Sequence, residues 1–294
     1  MLALCRREKS TLRLLEKVEN INNLRTTFEN DGVVCVRKAL DTKALTHAEH
    51  AYCWSLANPG PNARDVLTGV TGSFYQDHAN PAAFPIYRPL LCETILAQLV
   101  ADIMGSKVLW LLYEQIWLKE GGEKKRTPWH QDLSYVPMSG NHLATLWINL
   151  DPVEKVDSLE FIPSSHLGPL FNPTAFDAKN PSATMFKPGV WPVLPDIESK
   201  RDLFNIVSWD IELGDIIMFH PGILHGGAAT RQGSRRRTIS LRFFGDNSFC
   251  AERPETGTFE IDRLKQEGST DPIKQLAFLK TGTLFRHSAF NKLL

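Results

Sequence analysis

The sequence predicts a mainly β protein, a double-stranded β-helix (jelly roll) core buttressed by N-terminal α-helices. Three observations carry that expectation. Helical hydrophobic spacing is confined to about residues 1–105. From about 106 to 250, short apolar and aromatic runs alternate with Gly- and Pro-containing turns, the pattern of a closed or double-sheet β architecture. No repeat and no linker interrupts the chain, so 1–294 is expected to form one domain, with a lid-like insertion at 168–205 and a C-terminal extension at 251–294.

Taken in order, Leu14, Val18, Ile21, Leu24 and Phe28 form an apolar stripe that predicts an amphipathic helix from about Ser10 to Phe28. Asn30-Asp31-Gly32 should end it, Gly32 being suited to a left-handed cap. Val33–Val36 is β-branched and reads as a strand. Asp41 is placed to cap a helix through about Leu56, on which His47, Glu49 and His50 are expected to form a solvated face. Asn58–Asn62 reads as a turn-rich loop, and Leu91, Ile95, Leu99 and Ile103 predict a helix within Arg88–Met104. After Gly105 come strand-like runs at Val108–Leu118, around His130, at Leu143–Leu150, within Asp157–His166 and densely from Val207 to Gly245.

Composition narrows the function. Hydrophobic residues are 43% and charged ones 22%, with 33 basic against 33 acidic side chains, so no net field recruits nucleic acid or an anionic membrane. The 5 cysteines are scattered without C-x-x-C spacing, which argues against a disulfide framework or structural zinc. The opening Met1–Lys9 has too short an apolar run for a secretory signal, no window approaches a membrane span, and the final Lys-Leu-Leu is not Ser-Lys-Leu. A cytoplasmic monomer or homodimer acting on a small molecule is expected, with neither nucleic acid nor membrane as partner. Lys124-Lys125-Arg126 reads as a solvated loop, near enough to His130 to attract an anionic group.

The chemistry centres on Thr127–Tyr135, T-P-W-H-Q-D-L-S-Y. On an extended strand His130 and Asp132 project from one face, and Pro128 favours extended geometry. His47 and Glu49 share that spacing, but on a helix they diverge by about 200°. Two imidazoles and one carboxylate on one face of a metal ion suit non-haem Fe(II) and leave three positions open. The segment Gly214–Ala229 offers two candidates for the second imidazole, His220 and His225. They lie on opposite faces of an unbroken strand, but Pro221-Gly222 interrupts it, so parity leaves both open. Gly226-Gly227 leaves room for a metal beside His225.

Together H-Q-D-L-S-Y, D-S-L-E-F-I-P-S-S-H, G-D-I-I-M-F-H-P-G-I-L-H-G-G and R-R-T-I-S resemble, in order and over about Val108 to Asp246, the phytanoyl-CoA dioxygenase family of Fe(II)/2-oxoglutarate oxygenases. The resemblance implies that His130, Asp132 and His225 ligate iron, with His220 non-ligating. It implies that Arg236, eleven residues past His225 in an Arg-x-x-x-Ser pattern, holds the distal carboxylate of 2-oxoglutarate with Ser240. A guanidinium suits that task, being permanently charged and bidentate. Gln115 and Trp147 resemble positions near the co-substrate. The implied activity is hydroxylation of an unactivated C–H in a lipid, an amino-acid derivative or a natural product, using O2 and releasing succinate and CO2. Retention of Asp132 favours hydroxylation over halogenation; desaturation, epoxidation and ring formation stay open.

Two departures stand out: Ser164 replaces the Gly of the family's I-P-G-S-H turn, and Ser158 replaces a Gly just before it. His166 reads as a turn residue, while His78, His142 and His287 show no partner pattern. Trp110, Trp117, Tyr135 and Trp147 are candidates to line an apolar pocket, although aromatics at strand spacing are more often core. Two alternatives are a cupin-like metalloenzyme that does not use 2-oxoglutarate, and a non-catalytic small-molecule binding protein.

Overall fold

Hydrophobic spacing builds the helices, and local hydrogen bonds decide where they stop. The computed structural model of the chain describes residues 21–65, 73–121, 126–175, 183–227, 230–231, 233–254 and 279–294. The first expected helix lies outside the described residues up to position 20. From there α1 (Ile21–Asp31) buries Leu24 and Phe28. Gly32 follows at φ 76°, a left-handed cap, and its N–H donates to Phe28 O. The next three carbonyls of α1 are satisfied from far along the chain. Glu29 O accepts from His166 Nε2 (3.2 Å), Asn30 O from Ser164 Oγ (2.9 Å) and Asp31 O from Ser164 N (2.8 Å). Ser164 makes these contacts at φ 65°, a conformation that explains why a glycine suits this turn.

After β1 (Val33–Val36), Asp41 caps α2 (Thr42–Ala57) by accepting from Ala44 N at 2.8 Å. The outer face of α2 is not wholly solvated as expected: Glu49 pairs with Arg237 on the sheet. The helix expected in 88–104 is two. α3 (Phe84–Cys92) begins earlier, with Pro85 in its first turn, and α4 (Leu96–Met104) follows. Thr94 makes the break, its hydroxyl donating to Leu90 O and accepting from Leu96 N. The four-residue spacing survives the break because Leu91, Ile95, Leu99 and Ile103 all enter the same core. Among the described residues Cys35, Cys53 and Cys250 are free thiols. Among the described residues no helix is long and apolar enough to cross a membrane.

Among the described residues the strands form two main antiparallel sheets and one short antiparallel pair. The larger, 8-stranded, runs β1-β9-β7-β11-β4-β3-β2, with a last strand paired to β4. Its members are β2 (Arg64–Asp65), β3 (Ser73–His78), β4 (Trp110–Glu120), β7 (Leu143–Asn149), β9 (Ile216–Phe219), β11 (Arg235–Phe244) and β13 (Asn291–Lys292), besides β1. The smaller joins β5 (Thr127–His130), β10 (Leu224–Gly227) and β8 (Leu159–Ile162), with β10 in the middle. A short pair, β6 (Met138–Ser139) with β12 (Phe249–Cys250), closes one end. This is the expected jelly roll with its helical buttress.

Alternation divides the large sheet into two chemistries. Ile116, Leu146, Ile148, Met218, Ile239, Leu241 and Phe243 point to the helices and lie fully buried among them. Each such side chain contributes roughly 1.5–3 kcal/mol of burial. On the opposite face Gln115, Lys119, Trp147, Arg236, Ser240 and Arg242 look toward the small sheet. Lys119 there reaches Thr127, and Arg242 reaches Asp132. The described parts of 168–205 pack against the outer side of the small sheet. There Trp129 and Leu224 meet Ile197, Phe171, Leu194, Phe204 and Ile206. Trp110 does not line the interior: it stacks on Phe244 at 5.3 Å in a separate cluster.

Glu114 is an acid on the apolar face. It accepts from Asn80 N at 2.8 Å, and burial, with Asp77 adding, pushes its carboxyl up to about 8 from 4.5. Between those values the folded chain keeps a proton that the unfolded chain has shed, so this group lowers stability as pH rises. Glu114→Gln should therefore melt higher than the wild type near pH 8, with a smaller gap near pH 5. Thermal melts at both pH values check this; a gap independent of pH would count against it.

Candidate active site

The small sheet places the two imidazoles by register. His225 on β10 lies directly opposite His130 on β5, with ring centroids 4.2 Å apart. Each Nδ1 is tied to a carbonyl two residues back, His130 to Pro128 O (2.8 Å) and His225 to Ile223 O (3.1 Å). With Nδ1–H donating, a neutral ring turns the lone pair of Nε2 inward, the tautomer a metal ligand needs. Gly226 and Gly227 leave space chiefly for β5, not for a metal. A Cβ on Gly227 would lie 2.9 Å from Thr127 Oγ1, and one on Gly226 3.3 Å from the Trp129 ring.

Asp132 arrives differently from the strand expectation. β5 ends at His130, Gln131 is extended, and Asp132 opens a 3-10 turn, Asp132–Tyr135. Gln131 turns away and pins the corner: its amide N donates to Gly222 O (2.8 Å) and its amide O accepts from Phe171 N (2.9 Å). Leu133 N donates to Pro221 O, tying the turn to the loop before β10. As a result Asp132 Oδ1 lies 3.5 Å from His130 Nε2 and 3.8 Å from His225 Nε2. The three ligand atoms fall within 4.8 Å of one another. Donors about 2.1 Å from one ion, at right angles, stand roughly 3 Å apart, so a small inward adjustment completes the site.

The electrostatics match. Burial is the largest influence on the Asp132 carboxyl and would raise it. Arg242, the His130 side chain 3.5 Å away and the His225 ring overcome it and hold the group well below the usual carboxylate range. Burial, with His130 beside it, pulls His225 down to about 4 despite Asp132. Three groups able to donate an electron pair thus converge on one point. His220 is elsewhere, buried, with Nε2 on Gly140 O (3.0 Å) and Nδ1 accepting from Gly222 N (3.1 Å), and burial lowers it to about 4. Both its nitrogens are consumed by structure.

On the facing sheet Gln115, Ser240 and Trp147 lie abreast across β4, β11 and β7. Arg236 shares their face toward the far end of β11, opposite Lys119. Both cations are buried, and their hydrogen-bond acceptors among the described residues are neutral, the Asp157 carbonyl and the Thr127 hydroxyl. Burial pulls Arg236 down to about 10 and, with Arg236 beside it, takes Lys119 well below its ordinary value. Two adjacent buried cations of this kind call for an anion. Arg126 is not a free attractor, since it pairs with Glu160 and Glu198.

Two residues escaped the sequence reading. One is Lys119. The other is Arg242, which donates to Gln115 Oε1 (2.7 Å), to Asp132 Oδ2 (3.2 Å) and to Ser240 Oγ (3.3 Å). Counting on by two from Arg236 and Ser240 places Arg242 on their face, and that was the available signal. Trp117 and Trp147 approach at 6.4 Å, and Tyr135 stands 6.2 Å from His130, so three of the four candidate aromatics do adjoin the interior.

A jelly roll in which two imidazoles of the small sheet and a carboxylate from the turn after β5 face one point has a donor set that could hold a metal ion. The family model for phytanoyl-CoA dioxygenase (PhyH) matches residues 28–238, more than half of the chain. The chain belongs to that family. It is 26% identical over 145 residues to the peroxisomal phytanoyl-CoA dioxygenase of Bos taurus, a match covering 49% of this chain and 41% of that protein. The chain thus spans under half the length of the curated relatives it matches. Among solved structures it resembles the epimerase SnoN in complex with Fe3+, alpha ketoglutarate and nogalamycin RO, at TM-score 0.66 and 22% identity, covering 93% and 98% of the two chains. It also resembles the non-heme alpha ketoglutarate dependent carbocyclase SnoK from nogalamycin biosynthesis, at TM-score 0.65 and 16% identity, covering 92% and 96%. At these identities the two structures bear on the fold alone.

Metal binding has a direct thermal readout. Mn(II) or Co(II) at about a hundredfold excess over its Kd should stabilise the protein by about 2.7 kcal/mol, seen as a raised Tm. His225→Ala should abolish the rise. An equal rise in the variant would put the metal somewhere else.

Proposed function

We propose that the protein is an Fe(II)/2-oxoglutarate-dependent dioxygenase that hydroxylates an unactivated C–H bond of a small molecule. The observation that carries this reading is the convergence of His130 Nε2, His225 Nε2 and Asp132 Oδ1, each oriented by a second contact. Two imidazoles and one carboxylate with open positions suit ferrous iron better than a closed structural ion. Iron bound here with 2-oxoglutarate and O2 supplies the oxidant, while 2-oxoglutarate leaves as succinate and CO2.

The chain's own part is to hold and orient. His130, Asp132 and His225 keep the metal at the inner face of the small sheet. Arg236, with Lys119 beside it, offers paired positive charge to the distal carboxylate of 2-oxoglutarate, in a pocket where such charge is poorly satisfied by neutral oxygens. Ser240, Gln115 and Trp147 form the wall between the two ends, where the middle of a five-carbon diacid would lie. Trp117, Trp147 and Tyr135 offer apolar surface for the substrate and exclude water. The 168–205 segment serves in this reading as a cover over the small sheet, within one catalytic domain. A small apolar or amphipathic molecule is the substrate class that such walls accept.

Succinate formation from 2-oxoglutarate, measured across a metabolite panel, tests the proposal. Asp132→Ala should abolish it, and unchanged turnover would remove Asp132 from the site. Arg236→Ala should raise KM for 2-oxoglutarate roughly 10- to 100-fold, the worth of a charge-assisted pair. An unaltered KM would instead favour a metalloenzyme that does not use 2-oxoglutarate.

A further inference from the structure

The two carboxylate oxygens of Asp132 have different neighbours. Oδ1 faces the imidazole nitrogens at 3.5 and 3.8 Å. Oδ2 accepts from Arg242 Nη2 at 3.2 Å. A metal can therefore take Oδ1 without displacing the guanidinium. Arg242 in turn has little freedom. Its Nη1 donates to Gln115 Oε1 (2.7 Å) and Ser240 Oγ (3.3 Å), and its guanidinium carbon lies 4.9 Å from the centre of the Tyr113 ring. It projects from β11, which is held on both sides by β4 and β7. Asp132 itself sits in a 3-10 turn beyond the end of its strand, where no sheet hydrogen bonds fix its side chain.

We propose that Arg242 is a positioning residue for Asp132: by occupying Oδ2 it commits the carboxylate to bind metal through Oδ1 alone. The inference rests on the metal-centre reading above and goes further: there the Arg242 contact only orients the carboxylate, whereas here it decides which of its oxygens a metal can take. A carboxylate free to rotate can chelate an ion through both oxygens and take a second coordination position. With Oδ2 engaged, the three protein donors fill three of six positions and leave three for a two-point chelating co-substrate and O2. Arg242 thereby makes the number of open positions a property of two sheets at once. Partners of ligating groups in such sites carry 10- to 100-fold of metal affinity.

Co(II), whose visible spectrum reports coordination number and geometry, is the probe. It is titrated into the wild type, Arg242→Met, which keeps apolar bulk without charge, and Arg242→Lys, which restores charge without the planar fork. The expected result is a Co(II) Kd about 10- to 100-fold weaker for Arg242→Met, with a shifted visible spectrum, and partial recovery of both in Arg242→Lys. Wild-type affinity and spectrum in Arg242→Met, with any loss confined to KM for the organic substrate, would overturn the inference and give Arg242 to the substrate. If Arg242→Met fails to fold by circular dichroism, Arg242→Lys decides alone: weaker Co(II) binding than wild type supports the inference, and equal affinity overturns it. His225→Ala separates the two levels. Normal Co(II) binding there removes the metal centre itself, whereas its loss there, beside normal binding in Arg242→Met, leaves the centre standing and only the role of Arg242 refuted.

Discussion

The pairing of β5 with β10 is the constraint on which the rest depends. It sets His130 against His225 with rings 4.2 Å apart, and it works only because the chain beyond His225 carries no side chains where the strands touch. A one-residue slip would send one imidazole to the outer face, among Trp129, Leu224 and the 168–205 segment. The seat of Gly227 on Thr127 and the buried Gln131 at the corner both oppose that slip. The geometry of the donor set is thus a property of backbone register before it is a property of any side chain.

The second organising fact is that the large sheet is two surfaces with opposite duties. Its helix side is a conventional core, and burial there supplies the stability that the other side spends. The inner side carries Lys119 and Arg236 out of water and Arg242 nearly so, an arrangement that a protein selected for stability alone would have replaced with apolar groups. Arg236 and Arg242 stand six residues apart on one strand, roughly 20 Å between their Cα atoms. Charge is therefore delivered at both ends of this face of the large sheet, with Ser240, Gln115 and Trp147 between.

Much of this was legible in the residues, and the misses share a cause. Gly32, the Asp41 cap and the strand-rich stretch after Gly105 are local signals, and each occurs where expected, whereas β2 and β3, set between the helices, were not anticipated. Asp132 was expected on a strand; it reaches the same point from a turn, because Gln131 and Leu133 anchor the corner to residues far along the chain. One helix became two because a single threonine hydroxyl competes with the backbone, while the apolar spacing continues across the break. The glycines after His225 looked like space for a metal but serve close strand packing. Alternation along β11 groups Arg242 with Arg236 and Ser240, but not with Asp132, which lies in the turn beyond the end of β5. Contacts between sheets leave no period in a sequence.

The end of α1 ties the helical layer to this arrangement. Its last three carbonyls are capped by Ser164 and His166, from the turn that follows β8 in the sheet bearing both imidazoles. Melting that helix would strip partners from the turn, and loosening the turn would bare the helix end. The helical buttress and the sheet that carries both imidazoles are in this way bound into a single cooperative unit, in which fraying of one strips partners from the other.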